Sequence, residues 1–84
     1  MQKTIYSSEY AELLNWLRQH RKKKQLTMRQ LGKNMGIHHS WIGKVEQGER
    51  RLDIVEYLRI CTALDIDPHE GLNIVAKALS SSKK

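Results

Sequence analysis

The sequence predicts an all-α fold of five helices, and two kinds of observation support this. Helix starts are marked where a capping residue precedes a glutamine or glutamate by three positions, as at Thr27 with Gln30 and Asp53 with Glu56. Pro68 marks a further start, because proline is favoured at the first helical position. Apolar residues recur between these signals at intervals of three or four, the period of a helix with one buried face. The expected helices span about 8–24, 28–35, 39–47, 54–64 and 68–79.

The first predicted helix has a buried stripe and a basic end. Ser7 or Ser8 can cap it, and the stripe consists of Tyr10, Leu13, Leu14 and Leu17. It ends in the basic run 21–24, where cations suit the negative end of the helix dipole. The apolar residues Ile5 and Tyr6 precede it, and we expect them to fold back on the domain.

Residues 27–48 predict two helices joined by a tight turn. Met28, Leu31 and Met35 share one face of the first helix, and Gly36 can end it in the left-handed conformation. Either histidine of the pair at 38 and 39 opens the second helix, which Gly48 closes. A turn of about three residues sets the two helices at a steep angle, as in a helix-turn-helix.

The last two helices complete the predicted domain, which spans residues 1–79. Helix 54–64 is apolar around most of its girth, which is typical of a central helix, and Cys61 is then a core thiol. In helix 68–79 the inner face is expected to contain Leu72, Val75, Ala76 and Leu79. Ile74 and Ala78 lie on another side of that helix, and residues 80–84 are expected to form a disordered polar tail.

Composition and charge narrow the classes of function. The chain has 84 residues and a formal net charge of +6, with a pI near 9.7, which favours an anionic partner and nucleic acid before membrane. The plainer alternative is a soluble basic protein that binds no polyanion. The single cysteine excludes an internal disulfide and suits a reducing cytosol. No apolar run reaches the ~20 residues of a membrane span, and no signal-like segment opens the chain.

These motifs carry a resemblance to a known family. The stretch 26–51 resembles the helix-turn-helix of the Cro and phage-repressor family, of the xenobiotic-response-element (XRE) type. The positions that match are Leu31, Gly36, Ile42, Val45, Glu46 and Gly48, and the segments 52–56 and 64–68 also resemble family members. The resemblance covers roughly residues 13–79 and implies a compact five-helix domain whose third helix enters the DNA major groove.

One face of helix 39–47 is suited to reading DNA bases. Ile42 and Val45 define its buried side at about 100° per residue, so other positions point outward. The base-reading candidates are His39, Ser40, Gly43, Lys44 and Gln47. Lysine can donate to guanine, glutamine can pair with adenine and serine can serve either role, while the glycine leaves room for close approach. The resemblance implies base contacts at positions 39, 40 and 44, and the alternative is an ordinary solvated face.

The candidates for phosphate contact surround that helix. They are Thr27, Arg29, Trp41, Arg50 and Arg51. Trp41 could donate its indole N–H to a phosphate or pack against the neighbouring helix.

The sequence departs from the family's pattern at two positions. Family members often have a phosphate-binding glutamine where this chain has Met28, so the contact would pass to Arg29 and backbone N–H groups. Gly32 occupies a position where the family favours alanine, which still permits close helix packing.

Arg21 and Glu46 are expected to form a structural ion pair. Arg21 comes after the apolar stripe of the first helix, and Glu46 lies within about 40° of Ile42 on the third helix. Burying either charge alone would be costly. The resemblance also implies an arginine–glutamate pair at these positions, joining the first helix to the end of the third.

An enzyme is not expected from these residues. Adjacent His38 and His39 would diverge by about 100° on a helix and could not easily bind one metal ion, and His20 and His69 are isolated. The chain has no glycine-rich phosphate loop and no Ser, His and acid arrangement, so neither a metal nor a cofactor is predicted.

The sequence therefore predicts a DNA-binding transcriptional regulator. We expect a cytoplasmic, bacterial or phage-encoded repressor that binds an inverted-repeat operator as a homodimer. Ile74 and Ala78 are the expected dimer interface, although Ile74 could instead pack against Ile5 or Tyr6. The alternative function is an antitoxin or adaptor whose main partner is a protein such as a toxin. A controller of a restriction–modification or mobile-element operon would share the DNA mechanism.

Overall fold

A computed structural model of the chain describes residues 7–82, and in this range the fold is all-α, as predicted. The helices are α1 (Ser8–Lys23), α2 (Met28–Met35), α3 (His39–Glu46), α4 (Ile54–Leu64) and α5 (Pro68–Ser82). Ile5 and Tyr6 lie outside the described residues, so their expected packing is not addressed. None of the described helices is long and apolar enough to cross a membrane.

The helix starts follow the capping signals in the sequence. The Thr27 hydroxyl accepts the amide N–H of Gln30 at 3.0 Å, and the Gln30 side chain accepts the amide of Thr27 at 2.8 Å. Asp53 and Glu56 form the same reciprocal pair at 2.8 and 3.0 Å. Gly36 ends α2 with a φ of 72°, a left-handed conformation that glycine adopts without steric cost. Both predicted capping boxes are therefore confirmed.

The core lies between α1, α3 and α4, with α2 and α5 covering its sides. Leu64 and Cys61 of α4 are the most completely buried large side chains, so α4 is central, as its apolar sequence predicted. Cys61 packs in the core as a small apolar residue, as predicted. Burial also raises the pKa of its thiol, which favours the uncharged form. The remaining buried apolar residues are Tyr10, Leu13, Leu14, Leu17, Leu31, Ile42, Val45, Tyr57 and Ile60.

Helix α5 differs from the prediction in length and in orientation. It continues to Ser82, three residues beyond the predicted end, because no proline or glycine interrupts residues 80–82. Leu72 and Leu79, which were expected in the core, are 43% and 51% exposed. Ile74 and Ala78, the expected dimer surface, are instead half-buried.

Gly71 explains why α5 is rotated relative to the prediction. This buried glycine faces α1 and α4, and a Cβ atom there would meet the Tyr57 hydroxyl first and would lie 2.6 Å from the Trp16 ring and 2.9 Å from Leu13 Cδ1. Residues three, four and seven positions later lie near its helix face, and these are Ile74, Val75 and Ala78, all half-buried. Of the predicted inner face, Val75 does pack against the core. The missing side chain therefore helps to fix which side of α5 meets α1 and α4, and Leu72 and Leu79 are left exposed.

Candidate nucleic-acid interface

The close approach of α2 to the start of α3 depends on Gly32. A Cβ atom at this buried position would lie 2.8 Å from the carbonyl oxygen of Ile37 and 3.2 Å from His39 Cα. Both contacts are with backbone, which cannot move aside cheaply. The glycine at a position where the family favours alanine is therefore required by this turn, and the two helices are closely packed here.

Helix α3 buries one side and exposes the side expected to read bases. Ile42 and Val45 are each only 2% exposed, whereas Ser40, Lys44 and Gln47 are exposed. The helix ends at Glu46, so Gln47 is its C-cap residue instead of a member of its last turn. The structure thus brings the three polar candidates together on the outer surface of one short helix.

Gly43 lies on the same surface and is half-buried. A Cβ atom there would meet only Met28 Sδ, at 3.6 Å, which is an ordinary contact. The fold therefore has room for alanine at this position. Since glycine inside a helix costs about 1 kcal/mol relative to alanine, its presence is not explained by packing within the chain.

His38 and His39 occupy the start of α3 and contact each other. His38 is the N-cap residue, and its Nδ1 accepts the amide N–H of Ser40 at 3.1 Å. The two imidazole rings stack with centroids 4.3 Å apart, so they do not diverge as predicted, because His38 precedes the helix. Among residues 7–82, no group of three or more His, Cys, Asp or Glu side chains could hold a metal ion.

The pKa of His39 is lowered, and the causes identify its surroundings. Desolvation contributes most, and electrostatic interactions with Arg29 from α2 and with the neighbouring His38 add to it. Arg29 is itself exposed. Arg29 and His39 therefore lie close enough to interact electrostatically across the turn between α2 and α3.

Arg21 and Glu46 form a buried ion pair. Arg21 Nε and Nη2 donate to the two carboxylate oxygens of Glu46 at 2.6 and 3.0 Å, in the bidentate geometry that arginine favours. Arg21 Nη1 donates to the carbonyl oxygen of Leu26 at 2.8 Å. Arg18 adds a looser contact, with its Nε 3.6 Å from Glu46. The pair joins the end of α1, the approach to α2 and the end of α3.

The loop between α3 and α4 is held by a tyrosine from α1. The Tyr10 hydroxyl donates to the carbonyl oxygen of Arg50 at 2.9 Å and accepts the amide N–H of Leu52 at 3.0 Å. Burial raises the pKa of Tyr10, against a smaller lowering by the Leu52 amide. Tyr10 was predicted only as a core residue, because no local sequence pattern connects residues 40 and 42 positions apart.

The two loop arginines lie over aromatic rings. The Arg50 guanidinium carbon is 5.6 Å from the centroid of the Trp41 ring, and Arg51 lies 5.1 Å from that of Tyr10. Arg50 Nη2 also donates to Glu56 at 2.6 Å. Trp41 is half-buried against the core, so the structure shows the packing role that was one of its two expected roles.

Thr27 is the N-cap residue of α2 and is exposed. Its amide N–H and its hydroxyl oxygen are both engaged in the capping box with Gln30. The hydroxyl hydrogen is the donor that this arrangement leaves for an anion.

Comparisons with known proteins agree with this geometry. A family model described as a helix-turn-helix domain matches residues 12–71. An XRE-family-like protein from Pseudomonas syringae is 30% identical, with a TM-score of 0.78 over 84% of this chain and 87% of that one. The restriction–modification controller C.AhdI from Aeromonas hydrophila is 34% identical, with a TM-score of 0.71 over 77% of this chain and 98% of that one.

A more distant likeness extends to the clp gene regulator ClgR from Corynebacterium glutamicum. It is 21% identical, with a TM-score of 0.74 over 86% of this chain and 94% of that one, and shows a shared fold. A search of curated protein sequences found no match.

The fold and the exposed face of α3 define a helix-turn-helix protein. The chain belongs to the XRE-type family of Cro and phage-repressor-like DNA-binding transcriptional regulators, which confirms the resemblance drawn from its sequence.

Proposed function

We propose that the protein is a sequence-specific repressor that binds an inverted-repeat operator in double-stranded DNA as a homodimer. The observation that carries the proposal is the outer surface of α3, where Ser40, Lys44 and Gln47 are exposed above a buried apolar side. An α-helix fits the major groove, and these side chains provide donors and acceptors for base edges. Lys44 donates to guanine, and Gln47 pairs with adenine.

Phosphate contacts are assigned to the groups that flank α3. Arg29 and the hydroxyl of Thr27 lie on one side of the turn, and Arg50 and Arg51 lie in the following loop. Phosphate contacts fix the register of a protein on DNA, whereas base contacts set sequence preference. The hydrogen bonds of Tyr10 to this loop support the assignment, since they hold the arginines' backbone in place.

Dimerisation is assigned to the exposed apolar side of α5 instead of to Ile74 and Ala78. Leu72, Val75, Ala76 and Leu79 line a groove of about 480 Å³ between α5, α1 and the loop before α4. The side chains that line the groove are mostly apolar, and Leu72 and Leu79 among them are 43% and 51% exposed. In a two-fold interface each surface meets its own copy, so an exposed apolar surface can be buried against itself. We therefore assign a second copy of this chain as the occupant.

The likeness to the controller C.AhdI supports a particular regulatory setting. This chain matches 98% of that protein's length at 34% identity, so the two share a whole domain. We propose the control of a restriction–modification operon as the setting for this repressor, ahead of the antitoxin or adaptor alternative.

Three variants that each remove one positive charge distinguish base reading from phosphate binding, when their affinities for two DNA sites are measured at several salt concentrations. DNA fragments selected by the wild-type protein supply the operator, and its scrambled version is the non-specific site. Lys44→Ala should relax the preference at particular base pairs by ~1–3 kcal/mol. Arg29→Ala should weaken both sites alike and reduce the salt dependence by about one unit of slope. Lys77→Ala is the control, because it removes one positive charge from an exposed position of α5. It should change neither the base preference nor the salt dependence of binding.

Two outcomes would contradict the proposal. If wild-type protein selects no sequence, it is not a sequence-specific DNA-binding protein. If Lys44→Ala keeps every base preference, Lys44 does not read bases.

The dimer surface has a closely matched control. Leu72 is 43% exposed in the groove, and Leu58 is 42% exposed on the other apolar surface, with Met35, Val55 and Thr62. Leu72→Asp should weaken self-association in sedimentation and weaken full-operator binding more than half-operator binding. Leu58→Asp should do neither. Equal self-association of both variants and wild type would refute this interface.

A further inference from the structure

Met28 and Gly43 form an apolar recess between the start of α2 and the outer surface of α3. Met28 is the first residue of α2, and its half-buried side chain packs against the core. Its Sδ lies 3.6 Å from the point where a Cβ atom of Gly43 would stand. Outside the neighbouring backbone of α3, no other atom comes within 4 Å of that point. Because glycine has no side chain, the space beside the thioether is open.

The recess borders the side chains that the proposed function assigns to base contact. At about 100° per residue, Gly43 lies about 60° from Ser40 and about 40° from Gln47 around α3. Ser40, Lys44 and Gln47 are exposed and can form hydrogen bonds. The side chain that lines the recess has no donor and only a weak acceptor in its sulfur. One edge of a hydrogen-bonding surface is therefore apolar.

The chemistry of Met28 suits contact with an apolar group instead of a phosphate. A glutamine at this position could donate its amide hydrogens to a phosphate oxygen, whereas methionine has no N–H or O–H to donate. Its thioether is flexible and polarisable, and it packs well against apolar groups of varied shape. Since the side chain is only half-buried, part of it remains available to a partner.

The major groove of unmodified DNA displays one apolar group, the C5-methyl group of thymine. The other groups at the base edges are hydrogen-bond donors or acceptors, which would lose water in the recess without gaining a partner. The space that a Cβ atom of Gly43 would fill has the size of one methyl group. A methyl group there would lie at an ordinary van der Waals distance from Met28 Sδ. The recess therefore matches thymine in size and in polarity.

We propose that Met28 and Gly43 form a subsite that recognises the C5-methyl group of one thymine in each half of the operator. The proposal rests on the proposed DNA-binding function and deepens it, because it specifies a base by apolar contact beside the hydrogen bonds of Lys44 and Gln47. It also accounts for the glycine, which packing within the chain does not require.

The methyl group can be removed from the DNA without any change to the protein. Operator DNA selected by the wild-type protein is prepared with deoxyuridine in place of each thymidine in turn, which deletes only the C5-methyl group. Affinities are measured by fluorescence anisotropy at one salt concentration, since affinity for DNA depends strongly on salt. One thymine in each half-site should bind about 4-fold more tightly than uracil, which is the effect of burying one methyl group.

Two protein variants connect this methyl effect to the recess. Met28→Ala removes the apolar wall, and Gly43→Ala fills the space, so in each the ratio of thymine to uracil affinity at that position should fall to about 1. Met35→Ala is the matched control, because it shortens a half-buried methionine at the other end of α2 and should keep the ratio of about 4. Circular dichroism establishes that each variant is folded. Gly43→Ala makes only an ordinary contact, so it still tests the subsite if Met28→Ala does not fold.

Cytosine and 5-methylcytosine at the same position distinguish the methyl group from the rest of the base. The two bases have the same hydrogen-bonding groups, so 5-methylcytosine should bind about 4-fold more tightly than cytosine, and thymine should bind more tightly than both. If 5-methylcytosine bound more tightly than thymine, the subsite would serve methylated cytosine, and its assignment to thymine would be wrong.

The outcomes separate the subsite from the function on which it rests. If an operator is selected but no thymine loses affinity on replacement by uracil, the subsite is refuted and the DNA-binding function stands. The same conclusion follows if the selected half-sites contain no thymine, or if the full methyl effect persists in both Met28→Ala and Gly43→Ala. If the wild-type protein selects no operator, the DNA-binding function fails, and the subsite fails with it.

Discussion

Removal of Glu46 is the perturbation whose effect follows most directly from the structure. The Glu46 and Arg21 side chains are only 7% and 9% exposed, and the carboxylate accepts two hydrogen bonds from the guanidinium. In Glu46→Ala, Arg21 keeps its bond to the Leu26 carbonyl but loses its counter-ion in a place that water reaches poorly. Breaking a buried pair on one side costs ~3–5 kcal/mol, because the remaining charge is uncompensated.

This cost corresponds to a large change in melting temperature. For a domain of this size, 1 kcal/mol shifts the midpoint by about 4–8 °C, so Glu46→Ala should melt at least ~12 °C below wild type. Glu49→Ala, in the exposed segment that follows, is the matched control and should change the midpoint by only a few degrees.

Thermal unfolding followed by circular dichroism tests this reasoning. The double variant Arg21→Ala with Glu46→Ala should lose less stability than the sum of the two single variants, since neither charge is then left alone. Equal midpoints for Glu46→Ala and Glu49→Ala would show that Glu46 is solvated and that the buried pair contributes nothing. Additive losses in the double variant would show that the two residues act independently.

Three further substitutions test the packing around α3 and the role of Gly43 in DNA binding. Gly43→Ala meets only an ordinary contact, so it should raise stability by up to ~1 kcal/mol while weakening operator binding, if close DNA approach is the reason for the glycine; tighter binding would refute that reason. Gly32→Ala should lower the melting temperature in calorimetry, because its Cβ would meet backbone at 2.8 Å, and an unchanged midpoint would contradict the close packing. Tyr10→Phe leaves an amide and a carbonyl of the α3–α4 loop without their partner and should cost ~1–3 kcal/mol in urea unfolding. Wild-type stability would mean that water replaces the hydroxyl.

The elements that local sequence determines were predictable, and those that depend on packing were not. The starts of α2 and α4 followed from capping boxes, whose partners are three residues apart. The inner face of α5 was predicted correctly at Val75 and wrongly at Leu72 and Leu79, because the pattern of apolar residues gives no weight to Gly71, which meets α1 and α4 by having no side chain. Helical periodicity favoured the leucines as buried residues, and the close approach of Gly71 to Tyr57, Trp16 and Leu13 overrode it.

In the candidate DNA-binding site too, features determined by local sequence were predictable, and features that depend on tertiary contacts were not. The exposed face of α3 could be derived from the positions of Ile42 and Val45, because one helix contains all the information needed. The roles of Tyr10 and His38 could not. One depends on a contact across 40 residues, and the other depends on a ring orientation that sequence spacing does not determine.

The hydroxyl of Tyr10 also affects how fast and how tightly a partner can be bound. A loop that is ordered only on binding loses backbone entropy at that moment, which lowers affinity and slows association. Here residues 50–52 are already immobilised from α1 by two hydrogen bonds made during folding. The cationic loop is therefore preorganised, so an encounter steered by charge can proceed to the final complex without a conformational search.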